Sequence, residues 1–439
     1  MDEHIATITR CMDQVLAGKE ISREEAETLF AAGKEEPFFL MAAADRIRKT
    51  FCGDQMRFCS DVNARSGRCT ENCKFCAQSG WYHTGVKEYP LRSPEDLLRE
   101  AKQAEVYGAE RFGIVTSGRG QSDPVQFASI VEAVKRITQE TKLSVCCSLG
   151  LLTEEQLKTL KAAGCQRIHC NLETAKRHFP AICTTHTYEE KEAHIRRIQQ
   201  AGLEVCSGGI FGLGETEEDR IDMAFALREH HVTSVPLNIF NPIPGTPFGK
   251  NKPPKPIEIL RMFAMYRFIL PHVIMRVCAG RENSLRDMQA FALSAGLNGA
   301  MIGGYLTIAG RSPERDKQMA VDMGRTLFFG SGFRVQGSGF RVVVAASPRI
   351  YIGRCPKVVC KSLATHPCFQ TFWGILFLYR HPERSRGIFL ALRSVSHRHW
   401  QGNDVLVHRI SAFTHASFIG LQGRFLASLE MTIRETPSP

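Results

Sequence analysis

Residues 51–329 predict an α/β fold, a (β/α)8 barrel of the TIM type, with a helical lead at 1–50 and an anomalous extension at 330–439. Three observations carry that expectation. Short apolar runs alternate with amphipathic stretches along the whole segment. Eight such pairs can be placed, which is the number that closes a parallel barrel. Start and stop residues punctuate the helices: Ser93-Pro94-Glu95-Asp96 and Thr153-Glu154-Glu155 open two of them, and Gly108, Gly164 and Gly202 each close one. An open doubly wound sheet is the other fold compatible with this spacing.

Strands are expected at 56–62, 111–116, 143–148, 167–172, 204–208, 234–239, 273–278 and 299–302. Helices are expected at 94–107, 124–140, 153–163, 187–201, 216–230, 256–270, 284–295 and 313–328. In such a barrel the chemistry gathers at the C-terminal ends of the strands.

The net charge of +11 is unevenly placed. Residues 330–439 hold 14 Lys and Arg against 4 Asp and Glu, whereas the first 329 hold 42 against 41. The barrel segment therefore offers no basic face to a nucleic acid. The composition breaks where Gly330–Gln336 is nearly repeated by Gly337–Val342. Beyond that point no sustained period is found, and the tail reads as a frameshift or read-through product; a small basic accessory domain is the competing reading. Cys355, Cys360, Cys368 and His366 in the tail read as scattered residues rather than a metal site. The N-terminus lacks a basic start followed by an apolar run, and no apolar stretch reaches membrane-spanning length, so a cytoplasmic chain with no membrane partner is expected. Sixteen cysteines in such a chain point to metal or redox chemistry more than to disulfides.

The chemistry is concentrated in Cys69-Thr70-Glu71-Asn72-Cys73-Lys74-Phe75-Cys76. Three thiolates on one short loop can hold three corners of a cubane iron–sulfur cluster, leaving one iron open to a substrate. A structural zinc would need two further ligands, for which only Cys59 and His83 lie near, and the paired second half of such a site is missing. With Phe75 in place, the spacing resembles the cluster loop of radical S-adenosylmethionine (SAM) enzymes.

Further along, Cys146, Asn171, Cys206, Asn238, Arg276 and Cys278 all fall on expected strands. Side chains alternate along a strand, so Arg276 and Cys278 share a face while Cys146 and Cys147 point apart. Cys165, Cys170 and Cys183 read as buried small hydrophobes. Cys146, Cys206 and Cys278 would aim sulfur from three strands at one barrel mouth, with Arg276 beside them, which suggests a second cluster. The glycine-rich 206–216 stretch, with Gly209, Gly212 and Gly214, allows close approach of a flat ligand but does not match the dinucleotide fingerprint.

These residues together resemble the biotin synthase family. The resemblance runs through Cys73–Ser79, Cys170–Thr174, Thr184–Tyr188, Val205–Ile210, Val235–Asn238 and Arg276–Glu282, and covers residues 10–328. It implies sulfur insertion into dethiobiotin, with Cys69, Cys73 and Cys76 holding a [4Fe-4S] cluster whose open iron binds SAM. One electron would cleave SAM to a 5′-deoxyadenosyl radical, and sulfur would come from an auxiliary cluster. Phe75, Asn171, Glu173, Gly209 and Ile210 would contact SAM; Asn238 and His169 would face the substrate. A flavodoxin- or ferredoxin-type electron donor and a homodimer are implied in the same way. Two departures stand out. The family's auxiliary [2Fe-2S] cluster takes a cysteine from the second strand, where this chain has Gly113. Cys146, Cys206 and Arg276 match the other ligands, Cys278 is the expected replacement, and a larger cluster, as in variants associated with anaerobes, is the corresponding expectation. The family's second substrate-facing asparagine is His169 here. Rival readings are a hydrogenase maturase or methylornithine synthase of the same superfamily, and a non-catalytic iron–sulfur or zinc protein.

Overall fold

The computed structural model describes residues 3–329 and the strand segments 333–335, 342–346, 349–353, 375–380 and 388–393. The chain divides into two compact units, Met1–Gly353 and Arg354–Pro439. In the second unit Ile375–Arg380 and Ile388–Arg393 pair as antiparallel strands. Most of the tail, including Cys355, Cys360, His366 and Cys368, lies outside the described residues.

Three helices lead the first unit: α1 (Glu3–Leu16), α2 (Arg23–Glu35) and α3 (Pro37–Cys52). The barrel strands follow as β1 (Gln55–Arg65), β2 (Arg111–Thr116), β3 (Ser144–Ser148), β4 (Cys165–His169), β5 (Glu204–Cys206), β6 (Gly209–Phe211), β7 (Ser234–Ile239), β8 (Ile274–Val277) and β9 (Gly299–Met301). Every neighbouring pair in the barrel is parallel, and β9 pairs back onto β1 with Arg57 opposite Gly299, so the sheet closes. The helices between them are α4 (Pro94–Val106), α5 (Pro124–Glu140), α6 (Glu154–Ala162), α7 (Phe179–Ile182), α8 (Tyr188–Gln200), α9 (Glu217–Glu229) and α10 (Pro256–Ile269). Reciprocal capping boxes at Thr153, Thr187 and Thr216 start α6, α8 and α9, satisfying backbone N–H groups that a helix start leaves free. Helix α10 is buried along most of its length, and it packs against α2 and α3 of the helical lead.

Four expectations are corrected. The strand expected at 167–172 begins at Cys165 and ends at His169, because a bulge at Gln166 shifts its register; Asn171 stands past its end. The strand expected at 204–208 splits into β5 and β6 around Ser207 and Gly208. A Cβ at Gly208 would lie 2.0 Å from the Pro236 carbonyl, so the chain here hugs β7 too closely for a side chain. The helix expected at 284–295 is three short pieces, α11 (Arg281–Leu285), a 3-10 turn and α12 (Phe291–Ser294), broken at Arg286 with φ of 52°. The helix expected at 313–328 is α13 (Pro313–Asp322); Gly324 ends it at φ 73°, and β10 (Thr326–Phe329) then pairs with the start of β1.

The two faces of the strands differ. Outward residues of β1, such as Phe58 and Val62, are fully packed under the helices. Inward ones, Cys59 and Asp61, instead line a cavity of about 400 Å³ that opens at the C-terminal end of the barrel.

Candidate active site

The loop after β1 carries Cys69, Cys73 and Cys76, and its shape is set by its own backbone. Cys69 N–H donates to the Gln78 carbonyl at 3.0 Å, and Gly80 N–H returns to the Cys69 carbonyl at 2.8 Å. Cys76 N–H turns back to the Cys73 carbonyl at 3.0 Å. The Gln78 side chain accepts from Asn63 of β1 at 3.2 Å, tying the loop to the barrel wall.

A second segment, 183–187, clamps this loop from outside. Asn72 donates to Thr184 Oγ1 at 2.7 Å and accepts from Thr184 N–H at 2.9 Å. Glu71 accepts from Thr185 Oγ1 at 2.8 Å and pairs with His186 and Arg119. Burial pushes the Glu71 carboxyl up, but those hydrogen bonds and charges outweigh it and hold the group below its ordinary value. Cys183 is buried as expected for a small hydrophobe, yet its sulfur lies 3.7 Å from Cys73 and 3.3 Å from His186 Nδ1. Sequence reading gave it no such place.

All three loop cysteines line the cavity. Burial raises the Cys69 thiol and pushes Cys76 up to about 11, against the pull of backbone N–H groups. Neither ionises alone near neutrality, so a metal must displace their protons. Among the described residues, the trio Cys73, Cys183 and His186 is the set of ligand atoms that lie within 4.8 Å of one another. Cys69, Cys73 and Cys76 are spread wider than a single ion requires, which suits a multi-iron cluster rather than zinc.

Beside the loop, β4 and β6 build a ledge. Asn171 donates to Glu173 Oε2 at 3.2 Å and accepts from Gly208 N–H at 3.0 Å. Glu173 holds φ at 72°, a cost of about 1–3 kcal/mol for a non-glycine residue. Its backbone brackets Gly209 and Ile210: Ile210 N–H donates to the Glu173 carbonyl at 2.9 Å. Gly209 must be glycine, since a Cβ would lie 2.5 Å from that carbonyl and 2.4 Å from Met223 Sδ. Phe75, Asn171, Glu173 and Ile210 all line the cavity, whereas Gly209 is not among its lining residues.

Deeper, the wall gathers Cys146 of β3, His169 of β4, Cys206 of β5, Asn238 of β7, and Arg276 and Cys278 on and just after β8. Cys206 Sγ lies 3.4 Å from Ser234 Oγ. Burial raises the Cys206 thiol, but neighbouring His169, with the charges of Arg167 and Arg276, brings it down to about 7. Asn238 accepts from Ala279 N–H at 3.2 Å, and its amide reaches the Gly209 carbonyl at 3.4 Å. Arg276 Nη2 donates to Glu110 at 3.1 Å and Nη1 to Ser234 Oγ at 2.5 Å. Buried nitrogen atoms of Arg111, Arg167 and Arg276 have no partner. Donors left over around several thiols fit an anionic, sulfide-bearing cluster. Sequence reading missed Cys59 and Asp61 of β1 in this wall; their two-residue spacing on the first strand was the available signal.

A Radical SAM superfamily domain matches residues 64–227, and a Biotin and Thiamin Synthesis associated domain matches 236–326. Biotin synthase of Syntrophotalea carbinolica is 43% identical over 319 residues, 73% of this chain and 98% of that protein. Biotin synthase of Heliobacterium modesticaldum is 47% identical over 310 residues, covering 71% and 95%. The chain belongs to the biotin synthase family. Each of these two matches leaves more than a quarter of the present chain uncovered. Among solved structures, methylornithine synthase superposes with a TM-score of 0.63 at 19% identity, over 72% of this chain and 96% of that one. The FeFe-hydrogenase maturase of Carboxydothermus hydrogenoformans gives 0.63 at 18%, over 73% and 79%. These two share the barrel. No helix of the described residues is long and apolar enough to cross a membrane.

Proposed function

We propose that one cavity carries two cluster sites with separate duties. The chain is a radical SAM enzyme that inserts sulfur into dethiobiotin to give biotin. The observation that carries the two-site reading is that the loop thiols and the barrel-wall thiols line the same cavity. Cys69, Cys73 and Cys76 hold the [4Fe-4S] cluster, and Cys146, Cys206 and Cys278, with Arg276, surround the auxiliary one. A reduced [4Fe-4S] cluster with bound SAM supplies a 5′-deoxyadenosyl radical, chemistry that no side chain can perform.

The residues around it bind, orient and exclude water. Asn171 and Glu173 point polar atoms where a ribose can sit, and Gly209 and Ile210 offer backbone and an apolar surface for the adenine. Phe75 closes the loop side. Asn238 and His169, which line the same cavity, would meet the substrate's polar ring. Seating the reaction inside a closed barrel keeps solvent and stray C–H bonds away from a reactive species. A small flavodoxin- or ferredoxin-type protein delivers the electron and the chain works as a homodimer; both follow from the family resemblance.

Anaerobic turnover of the reconstituted full chain with SAM, dethiobiotin and a low-potential reductant tests this, with products read by mass spectrometry. Biotin together with 5′-deoxyadenosine is expected. Deoxyadenosine without biotin would move the chain to another radical SAM reaction.

A further inference from the structure

Outside the barrel wall, two sulfurs and an imidazole come together where the reaction gives them no joint task. Cys183 caps the end of α7 and His186 lies three residues on, so one turn of chain presents both. Cys73 comes from the loop after β1. Lys74 N–H donates to the Ile182 carbonyl at 2.9 Å, which pins the two segments side by side. The ligand atoms of Cys73, Cys183 and His186 all lie within 4.8 Å of one another.

The spacing is that of a single tetrahedral ion. Cys73 Sγ and Cys183 Sγ stand 3.7 Å apart, and Cys183 Sγ lies 3.3 Å from His186 Nδ1. Two thiolates on one zinc, each about 2.3 Å from it, are about 3.8 Å apart, and a thiolate and an imidazole nitrogen about 3.5 Å. Cys183 therefore does not extend the set Cys69, Cys73 and Cys76; it competes with that set for Cys73.

Polar neighbours hold both new ligands in place. Asn72 Oδ1 lies 3.4 Å from Cys183 Sγ and Thr185 Oγ1 3.5 Å from it. The Phe179 ring meets His186 edge-on with centroids 5.5 Å apart, and Glu71 pairs with His186 Nδ1. Partners of this kind orient ligands in metal sites. A thiol that only filled space would have apolar neighbours instead.

We propose that the chain, when its cluster loop is empty, holds one zinc ion on Cys73, Cys183 and His186, with water in the fourth position. The two thiol protons leave to solvent. His186 Nδ1 exchanges its hydrogen bond to Glu71 for the bond to zinc and keeps its one proton on Nε2. Nothing is oxidised or reduced, and two thiolates balance the charge of the ion. Because Cys73 serves both, ion and cluster exclude each other, and zinc stalls assembly of the cluster. The ion site rests on geometry alone; the exclusion rests on the cluster reading above.

The test takes the full chain, purified free of iron, and titrates it anaerobically with Co2+ and then Zn2+. One Co2+ per chain should bind with the d–d bands of a tetrahedral ion and a thiolate-to-cobalt charge-transfer band, and Zn2+ should displace it. A variant with both Cys69→Ala and Cys76→Ala should keep that spectrum. Cys183→Ala should weaken binding by about tenfold or more. Should Cys183→Ala misfold by circular dichroism, His186→Gln decides, with the same weakening and the charge-transfer band retained. A spectrum lost in the double variant, or unchanged in Cys183→Ala and His186→Gln, would put the ion elsewhere and overturn the proposal; so would an octahedral spectrum. Zinc-loaded chain should also rebuild its cluster more slowly than zinc-free chain, with no such difference in Cys183→Ala. Equal rates in the parent would overturn the exclusion, whatever the cobalt spectrum shows.

Discussion

The loop at 69–76 and the wall of the barrel both collect cysteines, by opposite means. Cys69, Cys73 and Cys76 meet because one stretch of chain turns back on itself through its own backbone bonds. Cys146, Cys206 and Cys278 meet because strands far apart in sequence share a register. The loop thiols sit outside the barrel strands, whereas Cys146 and Cys206 sit on them. Damage should therefore separate chemistry from stability in the first region and join them in the second.

The largest effect is expected at the loop. Cys76→Ala should reduce 5′-deoxyadenosine formation by more than about 10³-fold, since nothing else in the protein replaces the cluster's chemistry. Its unfolding midpoint in urea, without cluster, should match that of the parent.

Acid should loosen the helical layer around the barrel before the loop. His194 of α8 is fully buried and its Nε2 accepts from Leu152 N–H at 3.0 Å. Burial, with Arg197 and Lys191 nearby, lowers its value from 6.5 to about 4. A depressed base contributes stability above its unfolded value and loses it as pH falls towards the folded one. Up to about 3 kcal/mol should disappear between pH 6.5 and 4. His194→Gln should flatten that dependence in urea unfolding measured at pH 7 and 4.5. Glu71, which anchors the loop, is held below 4.5 and should let go only at lower pH.

A cysteine at position 113 tests the wall's packing. Gly113→Cys alone should cost about 1–3 kcal/mol through overlap with Asp61. Adding Asp61→Ala should recover most of that loss, a non-additivity visible in a double-mutant cycle. The smallest effect returns to the loop: Asn72→Ala removes the bonds to Thr184 and should cost about 1 kcal/mol. It should speed iron loss from the loop site and leave the wall's spectrum as it was.

The same contrast explains what could be read from the chain. Cysteine spacing at 69–76 reports a local loop, so the loop was plain from sequence alone. Apolar alternation reports strands packed under helices, and it placed all eight barrel strands within a few residues. Strand ends set by neighbours were another matter: the bulge at Gln166 and the split at Gly208 come from register with β3 and β7, which no local pattern records. Cys59 was weighed only as a zinc ligand because what places it in the wall is strand register, with Arg111 on β2 and Met301 on β9, which no local spacing records. Cys183 touches Cys73 only because the loop after α7 folds over the cluster loop.

The division of labour is tested most directly by comparing Cys69→Ala with Cys146→Ala in anaerobic turnover with SAM and dethiobiotin. The account predicts neither product from the first, and 5′-deoxyadenosine without biotin from the second. Biotin from Cys146→Ala at the parent's rate would contradict it.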